Sequence, residues 1–183
     1  MKRLATALIA MAAVIAPTTA AGAATTASHA GAVRIAACST RWGTGPKHGG
    51  TVFTVSTPVL RVRAGEHACF DRLVVDMGRG PRPGFSVRYV ARIVAEASGM
   101  VLKVRGKAKL LIVVRGPGGR GYHANAVNLA RVAGFSMFRQ VRGAGSFERV
   151  TAIGLGVRAR HAFRAFTFRG PGRHWRLVVD VAR

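Results

Sequence analysis

The sequence predicts an all-β protein built as an antiparallel β-sandwich, and three observations carry that expectation. Short β-branched and aromatic runs recur between turn clusters at spacings of about ten residues, the rhythm of a sandwich. From Phe85 to Ile93 apolar and polar residues alternate, as in a half-buried strand. Leu110–Val114 is continuously apolar, which suits a central strand covered on both faces.

The N-terminus reads as an export signal. Lys2 and Arg3 precede the apolar run Leu4–Ala16, which is too short to span a bilayer and is broken by Pro17. Ala21-Gly22-Ala23 fits the small-x-small pattern of signal peptidase sites, so residues 1–23 are read as a signal peptide. An uncleaved anchor is the alternative, and the brevity of the run argues against it. Ile35-Ala36-Ala37-Cys38 resembles a lipobox but lies about twenty residues beyond the apolar run, too far for lipidation. Residues 24–37, rich in Ala and Thr, read as a flexible lead-in. Residues 38–183 are left as a single domain, and a chain of about 160 residues buries roughly 70% of its unfolded surface. The expected product is secreted, with association to the cell wall, and has no membrane span in its mature form.

Cys38 and Cys69 are the only cysteines. An even count in an exported chain favours a disulfide, against two buried thiols or half of a metal site. Closing this loop would contribute roughly 3.5 kcal/mol through the unfolded state.

In chain order, Cys38–Gly50 reads as an ordered loop around Trp42, followed by strands Val52–Val55 and Val59–Val62 on either side of Pro58. Arg61 and Arg63 alternate with apolar neighbours in the second. Cys69–Met77 is next and ends in the turn cluster Gly78–Gly84, which holds Arg79 and Arg82. Phe85, Val87, Tyr89, Ala91 and Ile93 then point one way, and Ser86, Arg88 and Arg92 the other, a wet face that is cationic. Met100–Val104, Lys109–Val114, Val150–Leu155, Phe163–Phe168 and Arg176–Val181 complete the strands. Tyr122–Arg142 fits one short helix or an irregular excursion. Two segments echo: Arg72-Leu73-Val74-Val75-Asp76 recurs as Arg176–Asp180, and Arg115-Gly116-Pro117-Gly118 as Arg169–Gly172. Two matches do not make a repeat protein, but they suit equivalent strand positions in a sandwich.

Charge is the strongest compositional signal. The chain is formally +23, or +21 once Lys2 and Arg3 are removed, with six acidic residues in all. Arginine dominates, which suits bidentate pairing with phosphate or carboxylate, and so strong a field attracts polyanions.

Motifs for chemistry are weak. Gly116–Gly121 matches a dinucleotide fingerprint, but no acidic residue ends a second strand about 20 residues further on, so it reads as a glycine-rich loop. The histidines show no metal-ligand spacing, no serine has a G-x-S-x-G context, and no cofactor is implied. Asp76 and Asp180 could form a hydrolytic pair, yet each ends an apolar strand near arginines, where a carboxyl pKa falls rather than rises. They read better as ion pairs or caps. Aromatics beside arginines at Trp42, Tyr89 and Trp175 are a faint nucleic-acid footprint, better explained by packing with arginines at the rim.

A family resemblance rests on Cys38 with Trp42-Gly43 and Pro46-Lys47, on His67–Asp76, and on Pro83-Gly84-Phe85 with Val87–Val90. It continues through Phe147-Glu148, Gly154-Leu155-Gly156, Phe163–Phe166 and Arg176–Asp180. Over nearly the whole of residues 38–183 the chain resembles the AMIN-like domain of secreted and lipid-anchored actinobacterial proteins. The resemblance implies a β-sandwich. Through the related AMIN modules of wall amidases and secretins, it also implies peptidoglycan binding without catalysis. It supplies no binding residues.

The expected function is therefore a non-enzymatic envelope-binding domain that recognises peptidoglycan or anionic wall polymers. The alternative partner is an acidic envelope protein, and no specific nucleic acid is expected. The candidate binding residues are Arg88 and Arg92, then Arg61 and Arg63, then Arg79 and Arg82, with Tyr89 or Trp175 packing on a sugar ring.

Overall fold

Alternating β-branched residues drive the chain into strands that bury one face and wet the other. A computed structural model of the chain describes Cys38 and residues 41–183 apart from positions 52 and 125. The signal peptide and lead-in read from the sequence lie outside the described residues.

The strands are β1 (Lys47–Gly49), β2 (Val59–Glu66), β3 (Phe70–Met77), β4 (Phe85–Val90), β5 (Ile93–Val94) and β6 (Val101–Leu102). They continue as β7 (Ala108–Val114), β8 (Phe138–Phe147), β9 (Val150–Val157), β10 (Phe163–Arg169) and β11 (Trp175–Ala182), with one 3₁₀ turn at Pro171–Arg173. All pairings between them are antiparallel. One sheet runs β1-β4-β7-β9-β8, a second runs β10-β11-β3-β2, and β5-β6 is a separate hairpin.

The two large sheets share one core. Val62, Leu73, Val75, Leu177, Val179 and Phe163 from the four-stranded sheet meet Val87, Leu110, Ile112, Val141, Ile153 and Leu155 from the other. This is the sandwich that the alternation predicts. Strand β7 is central, as its unbroken apolar run requires. Leu110, Ile112 and Val114 enter the core, while Leu111 is partly covered from outside by the segment carrying Ile93, Leu102 and Val104.

That outer cover explains the alternation Ile153-Gly154-Leu155-Gly156-Val157. A Cβ on Gly154 would sit 3.0 Å from Ile93, and one on Gly156 would meet the carbonyl of Arg105. Glycine is required there because another chain segment lies directly on the strand.

The Cys38–Cys69 disulfide forms. The buried carboxylate of Asp71 accepts from the Met137 and Phe138 amides at 2.6 and 3.0 Å and from Arg183 Nη2 at 3.1 Å, tying β3 to the start of β8 across the sandwich.

Three sequence expectations are corrected. No helix forms among the described residues of 122–142. The described residues of 122–137 are an irregular run of bends and turns, and β8 begins at Phe138. Long-range bonds hold that run in place of helical ones: the Leu129 amide donates to Val141 O at 2.7 Å, and Tyr122 Oη lies 2.6 Å from Ala152 O. Burial pushes the Tyr122 phenol up to about 12, so it stays a neutral hydrogen-bonding anchor. The strand from Phe85 stops at Val90, because Ala91 and Arg92 form a bend and are exposed. Residues 53–55 make no strand, and Phe53 is 76% exposed.

Candidate functional site

On the outer face of the four-stranded sheet, strand alternation places side chains in cross-strand rows. One row runs Arg61, Asp76, Arg176, Phe168, and the next Arg63, Val74, Val178, Phe166. A third runs Gly65, Arg72, Asp180, Arg164. The duplicated Arg-Leu-Val-Val-Asp segments are thus direct neighbours, with the arginine of each opposite the aspartate of the other.

Two carboxylates serve five guanidinium groups on this face. Asp180, fully buried, takes both Nε and Nη2 of Arg72 at 2.7 and 2.8 Å and Nε of Arg164 at 2.8 Å. Asp76 accepts from Arg63 Nε at 2.7 Å, from Arg61 Nη2 at 3.2 Å and from Arg176 Nε at 3.2 Å. Burial works to raise the Asp76 pKa, but the guanidinium groups of Arg63 and Arg61 outweigh it and hold the carboxyl below the ordinary carboxylate range. The same bonds raise Arg63 and Arg72, chiefly through Asp76 and Asp180 respectively. A carboxyl held ionised as Asp76 is cannot serve as the general acid that glycoside hydrolysis needs. The ion-pair reading of Asp76 and Asp180 is the one the geometry supports.

Aromatic rings lie among these charges. The Arg164 guanidinium is 4.4 Å from the Trp42 ring centroid and 5.4 Å from that of Phe166, and Arg176 lies 5.9 Å from Phe168. Trp42 meets Phe70 edge-on at 5.7 Å, on the segment that the disulfide anchors.

At one end of this sheet the turn after β3 faces the turn before β11. Arg79, Gly80, Arg169 and Arg173 line an open hollow there of about 290 Å³. Arg79 is aimed by a bond from Nε to Gly172 O at 2.9 Å, and Arg169 lies 4.9 Å from the Trp175 ring. Trp175 itself is fixed through Nε1 to Gly80 O at 3.0 Å. Among the described residues none of the three arginines meets a carboxylate. Arg173 has φ +63°, a left-handed conformation that L side chains adopt at a cost.

The residues singled out from the sequence therefore fall into separate groups. Arg61 and Arg63 are on the outer face just described, although Asp76 shares their charge. Arg79 lines the end hollow, Trp175 bonds its Gly80 and lies under its Arg169, and nearby Arg82 Nε binds Thr167 Oγ1 at 2.9 Å. Arg88 and Arg92 belong to the opposite side of the sandwich, on β4 and in the bend after it. Tyr89 is half-buried at that sheet's edge, its hydroxyl bonded to the His161 carbonyl at 2.8 Å, with Arg160 over its ring. Sequence reasoning missed Arg72, Arg164, Arg169, Arg173, Arg176, Phe166 and Phe168 as binding candidates. The Arg-Gly-Pro-Gly echo at Arg169 was the one signal that could have flagged the hollow.

Fold and surface together define a disulfide-tied cationic β-sandwich, a class that fits an extracellular or envelope protein. The family is shown directly: the AMIN-like domain model matches residues 57–183, most of the chain, and the protein belongs to the AMIN-like domain family. Domains of this family are generally non-catalytic binding domains, which points to cell-wall-related binding. No curated protein and no solved structure is significantly similar to the chain. Among the described residues no helix is long and apolar enough to cross a membrane, and no cluster of His, Cys, Asp and Glu could hold a metal ion.

Proposed function

We propose that this is a secreted, non-catalytic domain that binds the cell wall through anionic groups, the phosphates of wall polymers or the carboxylates of peptidoglycan. The observation that carries this is the end hollow, where Arg79, Arg169 and Arg173 converge without an acidic partner among the described residues. Guanidinium groups already steered by a carbonyl and a ring lose little freedom on gripping an oxyanion. The adjoining sheet face, with five guanidinium groups over two carboxylates and Phe166 and Phe168 between them, offers ring surface to sugars and residual positive charge to a polymer lying across it.

The test is co-sedimentation of oxidised residues 24–183 with native walls and with walls stripped of anionic polymers, across a salt series. Binding to native walls alone, falling steeply with salt, assigns the phosphate-bearing polymer. Binding to stripped walls that survives moderate salt assigns peptidoglycan. Arg173→Gly removes one guanidinium while relieving the left-handed backbone, so this variant should fold at least as stably and bind more weakly. Binding to neither wall preparation, or full binding by R173G combined with R79Q, overturns the assignment.

A further inference from the structure

The hairpin β5-β6 lies on the outside of the five-stranded sheet, on the far side of the sandwich from the arginine rows. Its inward residues are accounted for: Ile93 is fully buried and packs with Val104, Ala144 and Ala152. Its outward residues are not. Val94 and Val101 are cross-strand partners and both face solvent, and Met100 beside them is 64% exposed. Solvent-facing hairpins ordinarily carry polar or charged residues at such positions.

The surroundings are cationic. Val101, Leu102 and Val104 form the apolar wall of an open hollow of about 350 Å³, and Arg92, Lys103, Arg105 and Lys109 complete it. None of these four cations is in an ion pair with a carboxylate among the described residues. The hairpin's one acid, Glu96, sits on its turn, where its backbone amide bonds Ala144 O.

Exposed apolar side chains beside a hollow lined by four long cationic ones are the pattern of a segment that enters the boundary between lipid head groups and acyl chains. The geometry points to the β5-β6 hairpin as a membrane-surface anchor for bilayers that carry anionic phospholipid. Val94, Met100 and Val101 enter the acyl boundary, and Arg92, Lys103, Arg105 and Lys109 meet phosphate head groups. Charge selects the ligand, because the four charged residues of the hollow, Arg92, Lys103, Arg105 and Lys109, are all cationic and outnumber the single Glu96 on the turn. Size selects it too: strands of two residues each offer far less than the roughly 1,200 Å² of a stable protein interface, whereas insertion has no such threshold. The inference does not depend on wall binding, which is assigned to the other sheet and its turns.

The experiment uses oxidised residues 24–183, without the N-terminal apolar run, on vesicles of pure phosphatidylcholine and of phosphatidylcholine with phosphatidylglycerol. Brominated acyl chains act as the depth probe. M100W should gain emission that the bromines quench on anionic vesicles and not on neutral ones. The double variant V94S/V101S should bind anionic vesicles about tenfold more weakly at moderate salt, where non-specific attraction is screened. R63Q with R164Q, on the other sheet, should leave acyl-chain quenching of M100W intact. Unquenched M100W on bound protein, or undiminished binding by V94S/V101S, overturns the anchor. Loss of fold in the serine variant would show in its circular dichroism, and M100W would then decide the matter alone. Retained wall binding alongside failed vesicle insertion would sink this inference and leave the wall reading standing.

Discussion

Asp180→Asn tests whether the outer face of the four-stranded sheet is held by its ion pairs. Asp180 is fully buried and accepts three charge-assisted bonds, two from Arg72 and one from Arg164. Asparagine keeps the shape, removes the charge and presents an NH₂ where an oxygen accepted. Breaking a wholly buried pair costs about 3–5 kcal/mol. Here the side chains of Arg72 and Arg164 are 28% and 40% exposed, so both freed guanidinium groups can turn partly to water. The expected loss is therefore about 2–3 kcal/mol. For a chain of this size that lowers the melting temperature by roughly 5–10 °C. Denaturant titration should show a lower midpoint at unchanged slope, meaning that stability and not compactness has changed. A D180N variant within about 0.5 kcal/mol of the parent would refute the reasoning, and with it the claim that this face is more than a solvated surface.

Asp76, whose arginine partners are more exposed, should matter less: D76N should lose about 1 kcal/mol at neutral pH. Its folded-state pKa lies below the unfolded one, so its contribution is complete above the ordinary carboxylate range near pH ~4 and fades as pH falls through the depressed value. An acid titration of stability should accordingly lose part of its low-pH limb in D76N. Replacing both Cys38 and Cys69 with serine should cost roughly 3.5 kcal/mol, read as a fall in denaturation midpoint that reducing agent reproduces in the parent. Gly156→Ala forces a methyl against the Arg105 carbonyl and should cost about 3 kcal/mol, while Gly65→Ala, with open space at its Cβ, should stay within about 0.5 kcal/mol, both by the same titration.

Strands whose burial alternates or is complete were legible in the sequence: β4, β7, β9, β10 and β11 each carry enough β-branched or aromatic residues to announce themselves. Strand β8 was not. Phe138–Phe147 contains three arginine or glutamine residues and two glycines, and its first half falls in the stretch Tyr122–Arg142 that reads as a short helix or an irregular excursion. The reason is tertiary. A Cβ on Gly143 would meet the His123 and Ala124 carbonyls, and Gly145 has φ +110° in a stretch where the pairing with β9 shifts register. Gln140 within it is buried because its amide spans Val127 O and the Arg105 amide, partners no local pattern reveals. The candidate site divides similarly. Alternation showed that Arg61, Arg63 and Arg88 face outward, but outward from which sheet depends on pairing, and pairing put Arg88 on the opposite side from the other two. Arg169 and Arg173 meet Arg79 only because β11 lies beside β3.

The paired Arg-Leu-Val-Val-Asp segments also act on the folding problem. A strand pair that slips must slip by an even number of residues to keep its apolar side inward, so two is the smallest error the core tolerates. Slipping β3 against β11 by two sets Asp180 opposite Val74 in one direction and opposite Phe70 in the other, with Arg72 opposite Ala182 or Val178. Because the segments are copies running in opposite directions, whatever one loses the other loses too, and both ion pairs vanish together. Valine-rich strands would otherwise pair almost equally well in neighbouring alignments. The repeated pentapeptide works as a two-point key that only the native alignment turns, so specificity in these two central strands comes from four charged residues rather than from the shape of the core.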